Sequence, residues 1–195
     1  MKVAVLSCGP SLTKYWQRER SESYGSVVAV NTAAWKFHCD WLVASYRHIF
    51  ESAALLRPRL GCVTNSAMPI QAGFERRQLP LQADGTIHSA WMQAAMQREG
   101  MDTCAWTFPN ALAFARGIAD GGEIDVYGFD AVPGVDVAGQ GKDAHNNKRW
   151  RRELPWIREV WSNDVVVRSD LDPDVLMWIK SEHGSLDELY ELFPC

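Results

Sequence analysis

The sequence predicts an α/β protein. It reads as one domain over residues 1–195, with a mainly parallel sheet of about six to seven strands and helices on both faces. Three observations carry that expectation. Short, continuous apolar runs rich in β-branched residues recur along the chain, as strands buried on both faces do. Helical stretches separate several of them, the pattern of parallel crossover units. Nearly every run ends on a small or hydrogen-bonding residue, which is where an open parallel sheet places its ligands.

The elements follow in order. Lys2–Ser7 is the first apolar run and stops at Gly9-Pro10, a buried strand followed by a tight loop. Ser11 stands where it would cap a polar, exposed helix over Lys14–Arg20. Ser26–Asn31, Trp41–Ser45 and Leu60–Asn65 read as the second to fourth strands, and Asp102–Thr107 as a short fifth. Asn110–Ala119 is Ala-rich and puts Leu112, Ala115 and Ile118 near one helical face. Glu123–Gly128 and Asp164–Arg168 are the sixth and seventh strands. Beyond Pro173 the chain reads as helical. Ser185 with Glu188 forms a capping box before a last helix, Leu186–Phe193. Two segments stand outside the pattern. Residues 65–88, with Pro69, Gly73, Pro80 and Gly85, read as an irregular excursion. Residues 131–145 read as a flexible loop, with Gly134, Gly139 and Gly141 and no strong periodicity. The chain has no internal repeat and no low-complexity tract.

Composition excludes several classes. With 47% hydrophobic and 23% charged residues, the chain has material for a core and is not a disordered tail. The net charge of −4 argues against a protein that coats nucleic acid generally. No apolar run approaches the roughly 18–20 residues of a membrane span, and the first apolar run meets Gly9-Pro10 too early for a secretory signal. Five scattered cysteines without a Cys-x-x-Cys pair predict neither a zinc ribbon nor a disulfide scaffold, and place the chain in a reducing cytoplasm. His38 precedes Cys39-Asp40 with no second ligand pair at metal spacing, so no metal site is expected.

Two constellations suggest chemistry. Gly9-Pro10-Ser11-Leu12 follows the first strand directly. A glycine there lets backbone approach a ligand, and a serine hydroxyl beside a helix start offers donors to an anion. It is neither a Gly-x-Gly-x-x-Gly fingerprint nor a P-loop, and by itself it also reads as a plain turn. The second constellation is residues 142–158, where six basic residues face two acidic ones in an otherwise acidic chain. As a helix from Asn147, it puts Arg149, Arg152 and Glu153 on adjoining positions of one face. Arginine forks grip phosphate oxygens, and His145, at the edge of the loop, titrates near neutrality and suits a general base. The same segment also reads as a solvated charged helix. Its Trp150 and Trp156, with Trp161 just beyond it, suit either base stacking or a core.

Taken together, these motifs resemble the bacterial sialyltransferases of glycosyltransferase family 42. They are also similar to the 6-hydroxymethylpterin diphosphokinase-like proteins, which share the opening Gly-Pro-Ser motif. The resemblance runs through short motifs over roughly residues 1–168: Gly9-Pro10-Ser11-Leu12, Asn31, the Gly128-Phe129-Asp130 turn and a downstream His145. It implies a single Rossmann-like domain, a nucleotide-sugar donor of the CMP type as substrate, no required metal or tightly bound cofactor, and a histidine base. Carried over by motif, Gly9, Pro10 and Ser11 line the donor phosphate, and Asn31, Ser45 and Thr107 meet the nucleotide or sugar from strand ends. Asp130 falls on the family's Gly-x-Asp, and His145 deprotonates the acceptor. The chain departs from the family at Cys8, where the sialyltransferases carry Asn, and at Phe108-Pro109, which replace Ser-Gly. It also has no tyrosine in 131–145, so Arg149 or Arg152 would take over the leaving phosphate. Four functions are therefore weighed: a glycosyltransferase acting on an unknown acceptor, an ATP- and magnesium-dependent pyrophosphokinase, a non-catalytic nucleotide-binding or interaction module, and a nucleic-acid binder.

Overall fold

The computed structural model describes residues 1–17, 23–44, 107–132, 134–139, 146–182 and 184–194, the single positions 49 and 52, and the backbone of 61–63 and 76–77. The chain is α/β, and every pairing among the described strands is parallel. Five strands are described with their side chains: β1 (Val3–Leu6), β2 (Ser26–Val30), β3 (Trp41–Val43), β6 (Ile124–Tyr127) and β7 (Val165–Arg168). Two shorter ones, β4 (Gly61–Val63) and β5 (Arg76–Arg77), extend one edge. The order across the sheet is β5-β4-β3-β2-β1-β6-β7.

Burial follows position in this order. In β1, β2 and β6 every residue is buried, which is why those segments read as unbroken apolar runs. β7 alternates instead: Val165 and Val167 turn to a more covered face, and Val166 and Arg168 to an exposed one. The helices described in full are α1 (Leu12–Tyr15), α2 (Ala33–Lys36), α3 (Thr107–Ala119), α4 (Asn147–Val160), α5 (Pro173–Lys180) and α6 (Leu186–Leu192). Helical packing occupies both faces of the sheet. Phe114 of α3 meets Trp41, whose register partner is Val28, with ring centroids 5.2 Å apart. Trp16, next after α1, meets Tyr127 at 4.9 Å on the opposite face, where Tyr127 lies beside Leu6. α4 packs on α3, α5 on α4 and α6 on α5.

Several boundaries differ from expectation. The exposed helix expected over Lys14–Arg20 is instead the single turn Leu12–Tyr15. Trp16 leaves it in extended geometry and buries its ring against Tyr24 and Tyr127. Thr107 does not end a strand but opens α3, whose first turn accommodates Pro109 because that position needs no intrahelical N–H. The rest of the expected strand, and the excursion 65–88 apart from the backbone of 76–77, lie outside the described residues. α4 starts at Asn147 as expected, with Asn146 as its cap: the Arg149 N–H donates to Asn146 Oδ1 at 2.8 Å. The capping box at Ser185 and Glu188 is formed.

Trp150 and Trp156 of α4 are buried in the core. Two of its arginines hold the C-terminal segment. Arg151 donates to the Phe193 carbonyl, and Arg158 donates to the Gly184 carbonyl at 2.6 Å while lying over the Trp178 ring. No described helix is long and apolar enough to cross a membrane.

Candidate functional site

The strand order fixes where a site can form. From β1 the chain steps outward through β2, β3, β4 and β5, then returns to place β6 on the other side of β1. Connections leaving β1 and β6 therefore diverge, and a crevice opens beyond their carboxyl ends. Two backbone bonds continue the pairing past the strands. Ser7 N–H donates to the Tyr127 carbonyl at 2.8 Å, and Gly9 N–H donates to the Gly128 carbonyl at 2.7 Å. Two glycines make this approach feasible. A Cβ on Gly9 would run into Asp130 Oδ2 and the Gly128 carbonyl oxygen. Gly128 has φ +66°, and a Cβ there would stand 2.7 Å from Leu12 Cβ. A small cleft, partly open to solvent, lies beside this closure. Gly9, Pro10, Phe129, Asp130 and Trp150 are among the residues that line it.

Asp130 is the polar centre of the cleft. It is 4% exposed. Its carboxylate accepts the Ser11 hydroxyl, the Ser11 N–H at 2.9 Å and the Asp170 N–H at 3.2 Å. Ser11 accordingly makes no side-chain cap to α1. The sequence reading gave its hydroxyl and the helix start to a phosphate. In the folded chain both Ser11 donors are engaged by a carboxylate that reaches them from across the switch point.

Asp136 is the second carboxylate lining the cleft. It accepts the Thr32 hydroxyl at 2.6 Å and the Ala138 N–H at 2.9 Å, while Val137 N–H donates to the Cys8 carbonyl at 2.7 Å. The described part of the 131–145 loop is thus tied to the ends of β1 and β2. Sequence reasoning did not single out Thr32 or Asp136. The available signal was a hydroxyl directly after the strand-end Asn31. Cys8 lies beneath this tie. Its thiol donates to the Val30 carbonyl at 2.9 Å, and burial, opposed by the Thr32 hydroxyl, pushes it up to about 11. It is held as a neutral thiol, not a nucleophile.

The remaining expected site residues are distributed unevenly. Asn31 adopts φ +46° at the end of β2, and its N–H donates to the Val43 carbonyl at 3.0 Å. Its buried Oδ1 has no hydrogen-bond partner among the described residues. Thr107 is buried at the start of α3. Arg149 is committed to its own helix: its Nε donates to Glu153 Oε2 at 3.0 Å. Glu153 is 2% exposed, and burial raises its carboxyl above the ordinary range against the pull of Arg149. Arg152 is exposed on α4. Of this helix, Trp150 lines the cleft rather than either arginine. Ser45 and His145 lie outside the described residues.

The titratable groups of the described lining are therefore both acidic, Asp130 and Asp136. Carboxylates with lone pairs to spare accept from hydroxyls and repel phosphate. Among the described residues no group of three or more His, Cys, Asp or Glu side chains is placed to hold a metal ion. No protein-family model, curated protein or solved structure matches the chain.

Proposed function

We propose that the chain binds a nucleotide-activated donor at the switch-point cleft and acts as a transferase, with sialyltransferase-like glycosyl transfer from a CMP-type donor as the reaction. The observation that supports this most is the closure of Gly9 against Gly128 and Asp130. A bare backbone approach and a buried acceptor carboxylate meet where open parallel sheets bind nucleotides. The acidic lining refines the expected pose. The hydroxyl-bearing part of the donor, ribose or sugar, faces Asp130 and Asp136, and the phosphate lies away from Ser11. His145 remains the proposed base, taking the acceptor proton; with Arg149 held by Glu153, the exposed Arg152 is the proposed partner of the departing phosphate as it leaves the cleft.

A thermal-shift screen against CMP, CDP, UDP, GDP and ATP, with and without magnesium, tests the reading, because a ligand that binds only the folded state raises its melting temperature. Stabilisation by CMP or CDP without metal supports it. His145→Ala should then abolish turnover and keep the CMP shift. No shift with any nucleotide refutes donor binding and leaves an interaction module. A second reading, pyrophosphoryl transfer from ATP with magnesium, draws on the same pair of carboxylates as a setting for a hydrated cation. It requires a shift with ATP only when magnesium is present.

A further inference from the structure

Among the described strands, β7 is the outermost on its side of the sheet. Its pairing with β6 uses one edge alone. Ile124 N–H donates to the Asp164 carbonyl at 3.2 Å, and Val166 is the register partner of Asp125. In a parallel ladder alternate residues turn both backbone groups the same way. Asp164 and Val166 therefore face β6, and Val165 and Val167 face outward. The Val165 N–H closes a turn onto the Ser162 carbonyl at 3.1 Å. The Val165 carbonyl and both backbone groups of Val167 have no hydrogen-bond partner among the described residues. This edge carries three consecutive valines, and Val166 is 40% exposed. An open, apolar strand edge is a template for another strand.

The sequence of the edge selects the partner. Asp164-Val165-Val166-Val167-Arg168 has opposite charges at its two ends. Turned antiparallel about Val166, two copies place Asp164 of each opposite Arg168 of the other. Val166 meets Val166, and the Val165 carbonyl accepts the Val167 N–H of the second copy. Opposite charges directly across an antiparallel pair stabilise it, and like charges destabilise it. A parallel arrangement would set Asp164 beside Asp164. An antiparallel slip by two residues would leave a charge facing a valine. Alternation puts Asp164, Val166 and Arg168 on one face, so both charge pairs form beside the central valine contact. Arg168 Nε holds Asp125 at 3.1 Å, and its guanidinium has further donors for the second copy.

We infer that the β7 edge is the self-association surface of this chain, joining two copies through an antiparallel β7–β7 contact centred on Val166. The symmetry is isologous. The strand is short, so the dimer forms in proportion to concentration.

Sedimentation velocity over micromolar to hundreds of micromolar protein should show a reversible monomer–dimer equilibrium. Asp164→Lys places like charges at both ends of the contact, and Val166→Lys places them at its centre. Each should leave a folded monomer, verified by circular dichroism, at every concentration. Val166→Cys gives a reading independent of affinity. Mild oxidation should yield a covalent dimer, whereas Met177→Cys, at a position 66% exposed on α5, should not. A wild-type chain that stays monomeric throughout overturns the inference. So does a dimer unaffected by both lysine variants, or cross-linking of the Met177→Cys variant equal to that of Val166→Cys.

Discussion

Two buried aspartates at opposite ends of β6 separate the structural end of the sheet from its chemical end. Asp125, 1% exposed, lies within the strand and is ringed by cations and a hydroxyl: Arg168 Nε at 3.1 Å, Lys2 Nζ at 3.3 Å, and the Tyr24 hydroxyl. Burial pushes its carboxyl up, but the hydrogen bonds from Tyr24, Arg168 and Lys2 outweigh that and hold it below the usual range. Asp130, 4% exposed, lies past the strand end and accepts two N–H groups and one hydroxyl. One buried charge is neutralised by full counter-charges that belong to the fold. The other is held by dipoles and lines a cleft. A carboxylate matched by fixed cations has no need of a ligand, whereas one matched by dipoles keeps its charge for what enters.

The largest effect expected from breaking this contrast is at Gly9. Gly9→Ala drives a Cβ into the Gly128 carbonyl, a backbone atom that cannot rotate away. A loss above about 4 kcal/mol is expected, a large part of a domain's stability. Chemical denaturation would show mostly unfolded protein, and a native-like melt would overturn the packing of the switch point. Next is Asp125→Ala, which takes the carboxylate from Arg168 and leaves Lys2 with Glu123 alone, at 3.0 Å. Breaking a buried pair costs about 3–5 kcal/mol, and the lower figure applies because both cations reach solvent. Its nucleotide-induced melting shift should equal that of the wild type. A variant that lost binding with little loss of stability would reverse the roles assigned to the two ends.

Asp130→Asn should do the opposite. Donors face both carboxylate oxygens, Ser11 N–H on Oδ2 and Asp170 N–H on Oδ1, so either orientation of the amide sets NH₂ against an N–H. A cost of about 2 kcal/mol follows from the hydrogen bonds lost. The nucleotide shift should vanish in protein that still melts cooperatively. A full shift retained by Asp130→Asn would detach the cleft from donor binding.

Much of the sheet was legible because β1, β2 and β6 are buried on both faces and announce it as continuous apolar runs. Turn chemistry was legible too: Ser185 with Glu188 describes its own local hydrogen bonds. The site was legible only in part. Ser11 has the signature of a helix cap, yet its donors go to Asp130, a partner 119 residues away that no local pattern reveals. Arg151 and Arg158 look like a basic patch on a helix. In the fold they hold the carbonyls of Phe193 and Gly184. Trp16 breaks its helix early because a tertiary pocket of tyrosines outweighs one more turn. In each case the deciding partner is distant in sequence.

The smallest effect expected sets Asp125 against the third buried carboxylate, Glu153. The folded pKa of Asp125 is depressed, so the unfolded chain binds more protons there. Its contribution is present above the ordinary 3.8 and is lost as pH falls through the folded value. The folded pKa of Glu153 is raised, because burial outweighs Arg149, so the folded chain binds more protons. Stability from this group is full below the ordinary 4.5 and declines as pH rises from there to the folded value. Glu153→Gln keeps an acceptor for Arg149 and removes the titration. Urea melts across the acidic range should therefore show Glu153→Gln gaining on the wild type as pH rises through that window, whereas Asp125→Asn should lose ground to the wild type at lower pH, as pH rises from the folded value of Asp125 towards 3.8. A Glu153→Gln variant that instead falls behind the wild type as pH rises would mean that the Arg149 pairing dominates burial, and that α4 is held as the amino end of the sheet is, by matched charges.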